Sequence, residues 1–319
     1  MSRMVVLSLF DGMSCGMEAL IRAGVKVTKY YSSEIDKYAI RVSEAMYPGR
    51  IIRLGDINNW REWDIEQPDI IIGGSPCQGL SIAGKRFGLE DPRSRLFYVF
   101  DDIVKFYKPQ YFFLENVDRI PKLDRAIMTG LMGVEPVRIN SALVSAQNRK
   151  RLYWTNINNG EIYQPVDKHI YLKDIIDDYQ GLWLKARGNN PGGERGQDGK
   201  SPCLTGNAYQ ENVFAIKNRG RFFLQDGQGK SQCLDANYHK GIDDHGQRTT
   251  VARMVDDESI EYRKLTVREF GRLQTLSEAQ IDIMLAAGVS NTQLYKMIGN
   301  GWTVDVIKHF FEHLNQYRR

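Results

Sequence analysis

Residues 4–16, MVVLSLFDGMSCG, decide how the rest of the chain is read. The run MVVLSL at 4–9 is almost continuously apolar and short, the mark of a strand buried on both faces. FDG then supplies a glycine turn, and apolar spacing over 17–23 reads as a helix. A buried strand delivered through a turn into a helix is the opening of a βαβ unit. The same alternation continues outward, with strands at 27–32, 51–54, 69–72 and 111–114 and helices at 37–46 and 96–106. Strands separated by helices of this length pair in parallel, so the expected fold is α/β, a doubly wound, mostly parallel sheet. Ligands of such sheets sit at the carboxyl ends of the strands.

The chain has 319 residues, enough for two domains or one large domain with an insertion. No apolar run approaches the roughly 20 residues of a membrane span. The N-terminal apolar segment is too short for a secretory signal, so a cytosolic location is expected. The four cysteines, Cys15, Cys77, Cys203 and Cys233, include no CxxC pair, which argues against zinc ligation and a disulfide framework. Net charge is only +4, but basic residues cluster at Lys85 and Arg86, Arg93 and Arg95, Arg149 and Arg151, and Arg219 and Arg221. Such clusters are solvated surface or the footprint of a polyanion.

From about residue 160 to 261 the helical period disappears and glycine and polar residues dominate. WLKARG at 183–188 is echoed by AIKNRG at 215–220, and GKSPCL at 199–204 by GKSQCL at 229–234. Each copy is expected to form a short β-hairpin or loop unit. Cys203 and Cys233 occupy matching places and read as small buried hydrophobes. Helical texture returns in LTVREFGRLQ, SEAQIDIMLAAG and WTVDVIKHFFEHL. Residues 1–159 and 262–319 are therefore expected to form one domain, with 160–261 inserted as a second, smaller one.

Candidate chemistry gathers at the strand ends. Glu34 ends the second strand, where a carboxylate can accept from ribose hydroxyls, and Asp56 ends the third, within reach of an adenine amino group. Either acid alone also reads as a helix cap. In IIIGGSPCQGLSIAG, at 70–84, Pro76 fixes the backbone before Cys77, which is presented at a strand end and not packed. Thiols act as nucleophiles only as thiolates. FFLENV at 112–117 delivers Glu115 to the same edge, and a carboxyl at the end of an apolar strand is placed to keep a proton. A cysteine with an acid beside a nucleoside site points to attack on a conjugated ring that is also protonated.

Together these segments resemble the DNA (cytosine-5) methyltransferases. LFDGMSCG is similar to the family's cofactor loop, SPCQGLSIAG to its nucleophile loop, DPRSRLF to the segment after it and ENV to its acid motif. QNRKR at 147–151 matches its Gln-x-Arg-x-Arg, and REFGRLQ and KMIGNGWTVDVI its last two motifs. Ser14-Cys15 in place of a glycine pair, SPC in place of FPC, and Gly301-Trp302-Thr303 are more similar to the animal de novo enzymes. The resemblance implies S-adenosyl-L-methionine as cofactor, bound by Phe10, Asp11, Gly12, Met13, Ser14, Glu34, Ile35, Asp56, Ile57, Pro76, Leu96, Asn300, Trp302 and Thr303. It implies that the Cys77 thiolate adds to cytosine carbon 6 while Glu115 protonates or hydrogen-bonds N3. Arg149 and Arg151 would hold the base oxygen and fix the catalytic loop, unless one of them only binds phosphate or forms an ion pair. The target base must leave the duplex, and the insertion corresponds in position to the target recognition domain. The expected partner is double-stranded DNA bound by a monomer. A cognate restriction endonuclease would be a second partner, although no segment resembles a nuclease. Three other readings stay open: a catalytically silent DNA-binding relative, a tRNA methylase, which would be expected to carry a shorter insertion, and a thiolate enzyme acting on free nucleotides.

Overall fold

A computed structural model describes residues 3–76, 95–177, 183–184, 193–194, 213–218, 221–225, 230–231, 233–234, 236, 238, 248–254 and 260–315. Its first half runs β1 (Arg3–Leu9), α1 (Cys15–Arg22), β2 (Lys26–Ser33), α2 (Lys37–Met46), β3 (Ile52–Arg53), β4 (Ile70–Gly74), α3 (Leu96–Tyr107), β5 (Tyr111–Val117), α4 (Lys122–Met132), β6 (Val137–Asn140) and β7 (Lys150–Thr155). These strands form one seven-stranded sheet in the order β3-β2-β1-β4-β5-β7-β6. Pairing is parallel from β3 to β5, and β7 runs antiparallel to both of its neighbours. β6 and β7 add to the strands read from the sequence.

The apolar runs of β1, β4 and β5 follow from burial on both faces. Val6, Ile70, Ile72 and Phe113 enter one core, whereas Leu7, Leu9, Ile71 and Leu114 enter the other. Side chains alternate across a strand, so adjacent residues feed opposite layers. α3 and α4 cover the second core, through Phe97, Phe100 and Met128. The first is covered by α1 and by the C-terminal helices α5 (Val267–Leu273), α6 (Glu278–Ala286), α7 (Asn291–Asn300) and α8 (Val304–Phe311), which close the chain after the insertion. Phe310 and Phe311 lie edge-on to Phe113 at ring separations of 5.1 and 5.4 Å. Arg22 of α1 pairs with Asp305 of α8 at 3.0 Å. α5 and α6 begin in capping boxes, Thr266 with Glu269 and Ser277 with Gln280, which satisfy the free N–H groups of their first turns.

The insertion holds two ladders: β8 (Trp183–Leu184) pairs with β9 (Gly193–Glu194), and β10 (Val213–Asn218), β11 (Arg221–Gln225), β12 (Arg248–Met254) and β13 (Ile260–Lys264) form an antiparallel sheet in the order β11-β10-β12-β13. Trp183 and Leu184 of WLKARG form β8, and residues 215–218 of AIKNRG lie within β10, while the rest of both copies lies outside the described residues. The change of texture near residue 160 is not where the chain leaves the main core. Ile162, Leu172, Ile175 and Ile176 are buried in it, and the inserted sheet runs on to Lys264. Polar composition there reflects a strap lying over the core. Among the described residues, no helix is long and apolar enough to cross a membrane.

Candidate active site

β1 carries the chain to the crevice, because β2 and β3 lie on one side of it and β4 and β5 on the other. In an open α/β sheet this reversal is where a ligand crevice forms. The register aligns the ends: Leu9 sits beside Ser33 and Gly73, and Gly74 beside Glu115. The turn after β1 is wound tightly by three left-handed residues, Phe10 (φ 57°), Gly12 (φ 57°) and Ser14 (φ 64°).

Asp11 is the internal support of that turn. Its carboxylate, 1% exposed, accepts hydroxyl hydrogen bonds from Ser8 (2.6 Å), Tyr30 (2.7 Å), Ser14 (2.5 Å) and Ser32 (2.8 Å). Four donors offset the desolvation of a buried charge. Burial and the adjacent carboxylate raise the Tyr30 pKa well above its usual value, so it stays a donor. Gly16 lets α1 approach β4, since a Cβ there would meet Ile72 Cδ1 at 2.5 Å.

Glu34 faces the crevice and binds the same turn from the other side. Its Oε2 accepts from Gly12 N (2.7 Å), and Oε1 from Ile35 N and Asp36 N (2.8 Å each). A carboxylate has about four lone-pair positions, so roughly one remains, on Oε2.

The floor is built by β5 and β7. Glu115 Oε1 pairs with Arg151 Nε at 2.9 Å, and its Oε2 accepts from Trp302 Nε1 at 3.2 Å. The neighbouring Asn116 is buried and donates to Ser75 Oγ (3.1 Å), fixing the backbone that leads into Pro76. Cys77 and the rest of the QGLSIAG loop lie outside the described residues.

Arg149 is 3% exposed, and its guanidinium reaches the carbonyls of Leu234 (3.2 Å), Gly299 (3.2 Å) and Gly301 (2.9 Å). It thus ties β7 to the insertion and to the end of α7, the positioning half of what the sequence implied. Arg151 reaches the acid. Cys233 corrects the sequence reading. It is partly exposed, not a buried hydrophobe, and its sulfur lies 3.6 Å from both Arg149 Nη1 and Arg151 Nη2. Burial raises its pKa, but the charges and hydrogen bonds of the two arginines outweigh that and lower it below the free-thiol value. Cys203 lies outside the described residues.

These groups surround one cavity of about 330 Å³. Of the residues singled out from the sequence, Phe10, Asp11, Gly12, Met13, Glu34, Pro76, Glu115, Arg149, Arg151, Asn300 and Trp302 line it. Ser14 is buried beneath the turn against Asp11 and Ser43. Thr303 is buried between Gln274 and Ser141. Leu96 and Ile57 belong to the second core. Ile35 stands 72% exposed beside Glu34. Asp56 accepts from Asn58 N and Nδ2 at 2.9 and 2.8 Å and caps the helical turn that follows, the alternative role considered for it. Two charged lining residues escaped the sequence reading, Asp36 and Lys296, which face each other at 3.4 Å. The signal was available, since Lys296 opens KMIGNG. Cys15 also lines the cavity, but burial pushes its thiol up to about 12, so it stays neutral. Among the described residues, no group of three His, Cys, Asp or Glu could hold a metal.

A doubly wound sheet carries an acid against the turn after β1 and an arginine-held carboxylate at the floor of a cavity on its carboxyl edge, where folds of this class bind ligands. Solved methyltransferases share this fold: Entamoeba histolytica EhMeth at TM-score 0.68 and S. pombe Dnmt2 at 0.65, each 16% identical, the first covering all of both chains and the second 99% of each. The chain matches the C-5 cytosine-specific DNA methylase family over residues 4–131 and 139–316, and it belongs to that family of DNA cytosine-5 methyltransferases. It is 25% identical to the orphan methyltransferase M.SPRI of Bacillus phage SPR over 98% of both chains. With the type II methyltransferase M1.ScrFI of Lactococcus lactis subsp. cremoris it shares 30% identity over 95% of this chain and 75% of the relative. DNA as substrate and S-adenosyl-L-methionine as methyl donor follow from that membership.

Proposed function

We propose that the enzyme turns a cytosine out of duplex DNA and methylates its carbon 5 through a covalent adduct with Cys77. The observation that carries this reading is Glu115, held by Arg151 and Trp302 on the strand next to the one that leads into Pro76 and Cys77.

The cavity volume lies within the roughly 300–1,000 Å³ typical of small-molecule sites. Glu34 Oε2 keeps an acceptor position for a ribose hydroxyl, Phe10 offers an aromatic face, and Asn300 and Trp302 close the opposite side. S-adenosyl-L-methionine bound there supplies the methyl group. Everything else falls to the chain. The Cys77 thiolate forms a bond to carbon 6, and Glu115 gives its proton to N3, so the electron pair accumulates at carbon 5. After methylation, a base takes the carbon 5 proton through water, the C–H electron pair restores the 5,6 double bond and expels Cys77 as thiolate, and the N3 proton returns to Glu115. Arg151 holds Glu115 in place, whereas Arg149 acts through backbone carbonyls.

Residues 160–261 serve as the target recognition domain in this reading. Asn218 pairs with Arg221 where β10 and β11 meet, and the lobe's sequence carries the basic pair Arg219 and Arg221. The energy of unstacking the base comes from phosphate contacts of this lobe.

A duplex carrying 5-fluorocytosine at the target tests the reading, because fluorine cannot leave as the proton does and the adduct is trapped. Mass spectrometry is expected to find the DNA on Cys77, and Cys77→Ser is expected to bind the duplex without trapping it. Bisulfite sequencing of DNA from expressing cells supplies the sequence context. A fluorinated duplex that is never attached to position 77 of active enzyme would sink the covalent mechanism.

A further inference from the structure

The carboxyl edge of the sheet carries positive charge beside the cavity that the proposed reaction does not use. Val117 ends β5 and lines the cavity, and Arg119 follows it by two residues. β6 runs parallel to β5, because both pair antiparallel with β7. α4 therefore has to carry the chain back from the carboxyl edge, and Lys122 and Arg125 in its first turns stand at that edge. β7 starts at the same edge. Arg151 is paired with Val117, and Lys150 is the residue just before it.

Arg119, Lys122, Arg125 and Lys150 are all exposed, and none meets a carboxylate among the described residues. The acids of the same stretch are already engaged or withdrawn. Asp118 holds Arg138 through both oxygens, at 2.6 and 2.7 Å, and Asp124 is buried. The covering helices treat their arginines differently: Arg268 is matched by Glu278 and Asp282, and Arg272 by Glu278 and Asp177. Cations left side by side without acids repel one another, and a polyanion laid over them relieves that repulsion.

We infer that this ridge is a DNA interface on the catalytic side of the cavity, where Arg119, Lys122, Arg125 and Lys150 neutralise phosphates next to the target base. Four residues of chain, at most about 13 Å at the rise of a strand, separate Glu115 from Arg119. Phosphates recur about every 3.4 Å along one strand of a duplex, so those of roughly the nearest four nucleotides lie within reach. Contacts of this kind hold the duplex in place without reading its sequence. Leu123, 73% exposed in the same turn of α4, offers an apolar surface to a deoxyribose ring.

The inference takes DNA as the substrate, as the proposed reaction does, but uses no part of the covalent step. Replacing Arg119, Lys122 and Arg125 together by glutamine removes three charges from exposed positions. The log–log salt dependence of duplex binding is expected to flatten by roughly 2.7, about 0.9 for each phosphate, and affinity at about 0.1 M salt to fall roughly 100–1,000-fold. A matched control removes three exposed cations from the amino edge: Arg3 and Lys26, paired at the starts of β1 and β2, and Arg50, just before β3. Its slope is expected to equal that of wild type. A ridge variant that keeps the wild-type slope, or a control that loses as much, overturns the inference. Lysine acetylation of the wild-type protein, read by mass spectrometry, guards against misfolding of the variants. Duplex is expected to protect Lys122 and Lys150 but not Lys26. Equal labelling with and without duplex overturns the inference, as does protection that appears without DNA as protein concentration rises, which would assign the ridge to contact between copies. The two readings separate cleanly. Trapping of the fluorinated duplex on Cys77 with an unchanged ridge slope removes the ridge alone, whereas a flattened slope without trapping removes the covalent step alone.

Discussion

Gly74→Ala probes the hydrogen bond that holds the Glu115 carboxyl. Gly74 closes β4 beside Glu115, and its backbone is not left-handed, so alanine is tolerated there on conformational grounds. A Cβ at Gly74 would stand 3.0 Å from Glu115 Oε2 and 3.0 Å from Trp302 Nε1, atoms that are 3.2 Å apart in their hydrogen bond. The methyl cannot fit at those distances without one partner moving away. A hydrogen bond to a charged group contributes about 1.5–3 kcal/mol. Since each 1.36 kcal/mol is tenfold in rate, kcat should fall by roughly 10–100-fold if Glu115 works only when so oriented. Both displaced groups border the cavity and can move into it, so overpacking should cost about 1 kcal/mol, the lower end for an added methyl. The assay is methyl transfer from labelled S-adenosyl-L-methionine in single turnover, with Tm measured alongside. A double cycle with Trp302→Phe, which removes the indole N–H, should show the two losses to be strongly non-additive. An unchanged kcat in a folded Gly74→Ala protein would refute the orienting role of Trp302. Strict additivity with Trp302→Phe would show that the methyl acts elsewhere.

Arg149→Ala removes a donor from three carbonyls, of which Gly301 O keeps Gln274 Nε2 at 3.3 Å, and should destabilise the protein by about 1–3 kcal/mol, read as a lower urea midpoint. That loss should accompany any loss of activity, whereas Arg151→Ala should cost activity with less stability. Glu34→Gln exchanges an acceptor oxygen for a donor amide, so KM for the cofactor should rise about 10–100-fold while kcat at saturation is retained; calorimetry of cofactor binding checks it. Replacing Arg219 and Arg221 by alanine should weaken DNA binding and flatten the log–log salt dependence by roughly 0.9 for each phosphate that is no longer neutralised. An unaltered slope would remove these two arginines from the DNA interface.

The parallel half of the sheet was legible because burial on both faces forces continuous apolar runs, as in MVVLSL and IIIGG, with helical spacing between them. β7 was not legible, since KRLYWT opens with two charged residues whose reading was dominated by their chemistry. The strand-end acids looked equivalent in the sequence but differ in the structure. Glu34 gathers three N–H groups at the cavity, whereas Asp56 is spent on the turn after it. An acid followed by Ile-Asn-Asn serves either purpose, and only the position of its strand decides. Cys233 was misread for a similar reason. What makes it a polar thiol is a pair of arginines 82 and 84 residues away in sequence, a separation that no local pattern reports.

The motif QNRKR and the two residues before it gain a second meaning from this geometry. Gln147, Arg149 and Arg151 alternate along the chain that enters β7 and so turn to one side, and Ser145 stands in the bend just before them. Ser145 Oγ and Gln147 Nε2 donate to the Leu273 carbonyl at the end of α5. Gln147 Oε1 and Arg149 grip Leu234 of the insertion, Arg149 also holds the end of α7, and Arg151 holds Glu115. One edge thus joins the C-terminal helices, the inserted lobe and Glu115, while Asn148 and Lys150 between them face solvent. A shift of the inserted lobe on DNA would reach Glu115 through two side chains on the same strand, with no need for a longer path. Residues of this motif should therefore differ in kind when substituted. Gln147 and Arg149 should alter stability and the coupling of DNA binding to turnover, and Arg151 the chemical step itself.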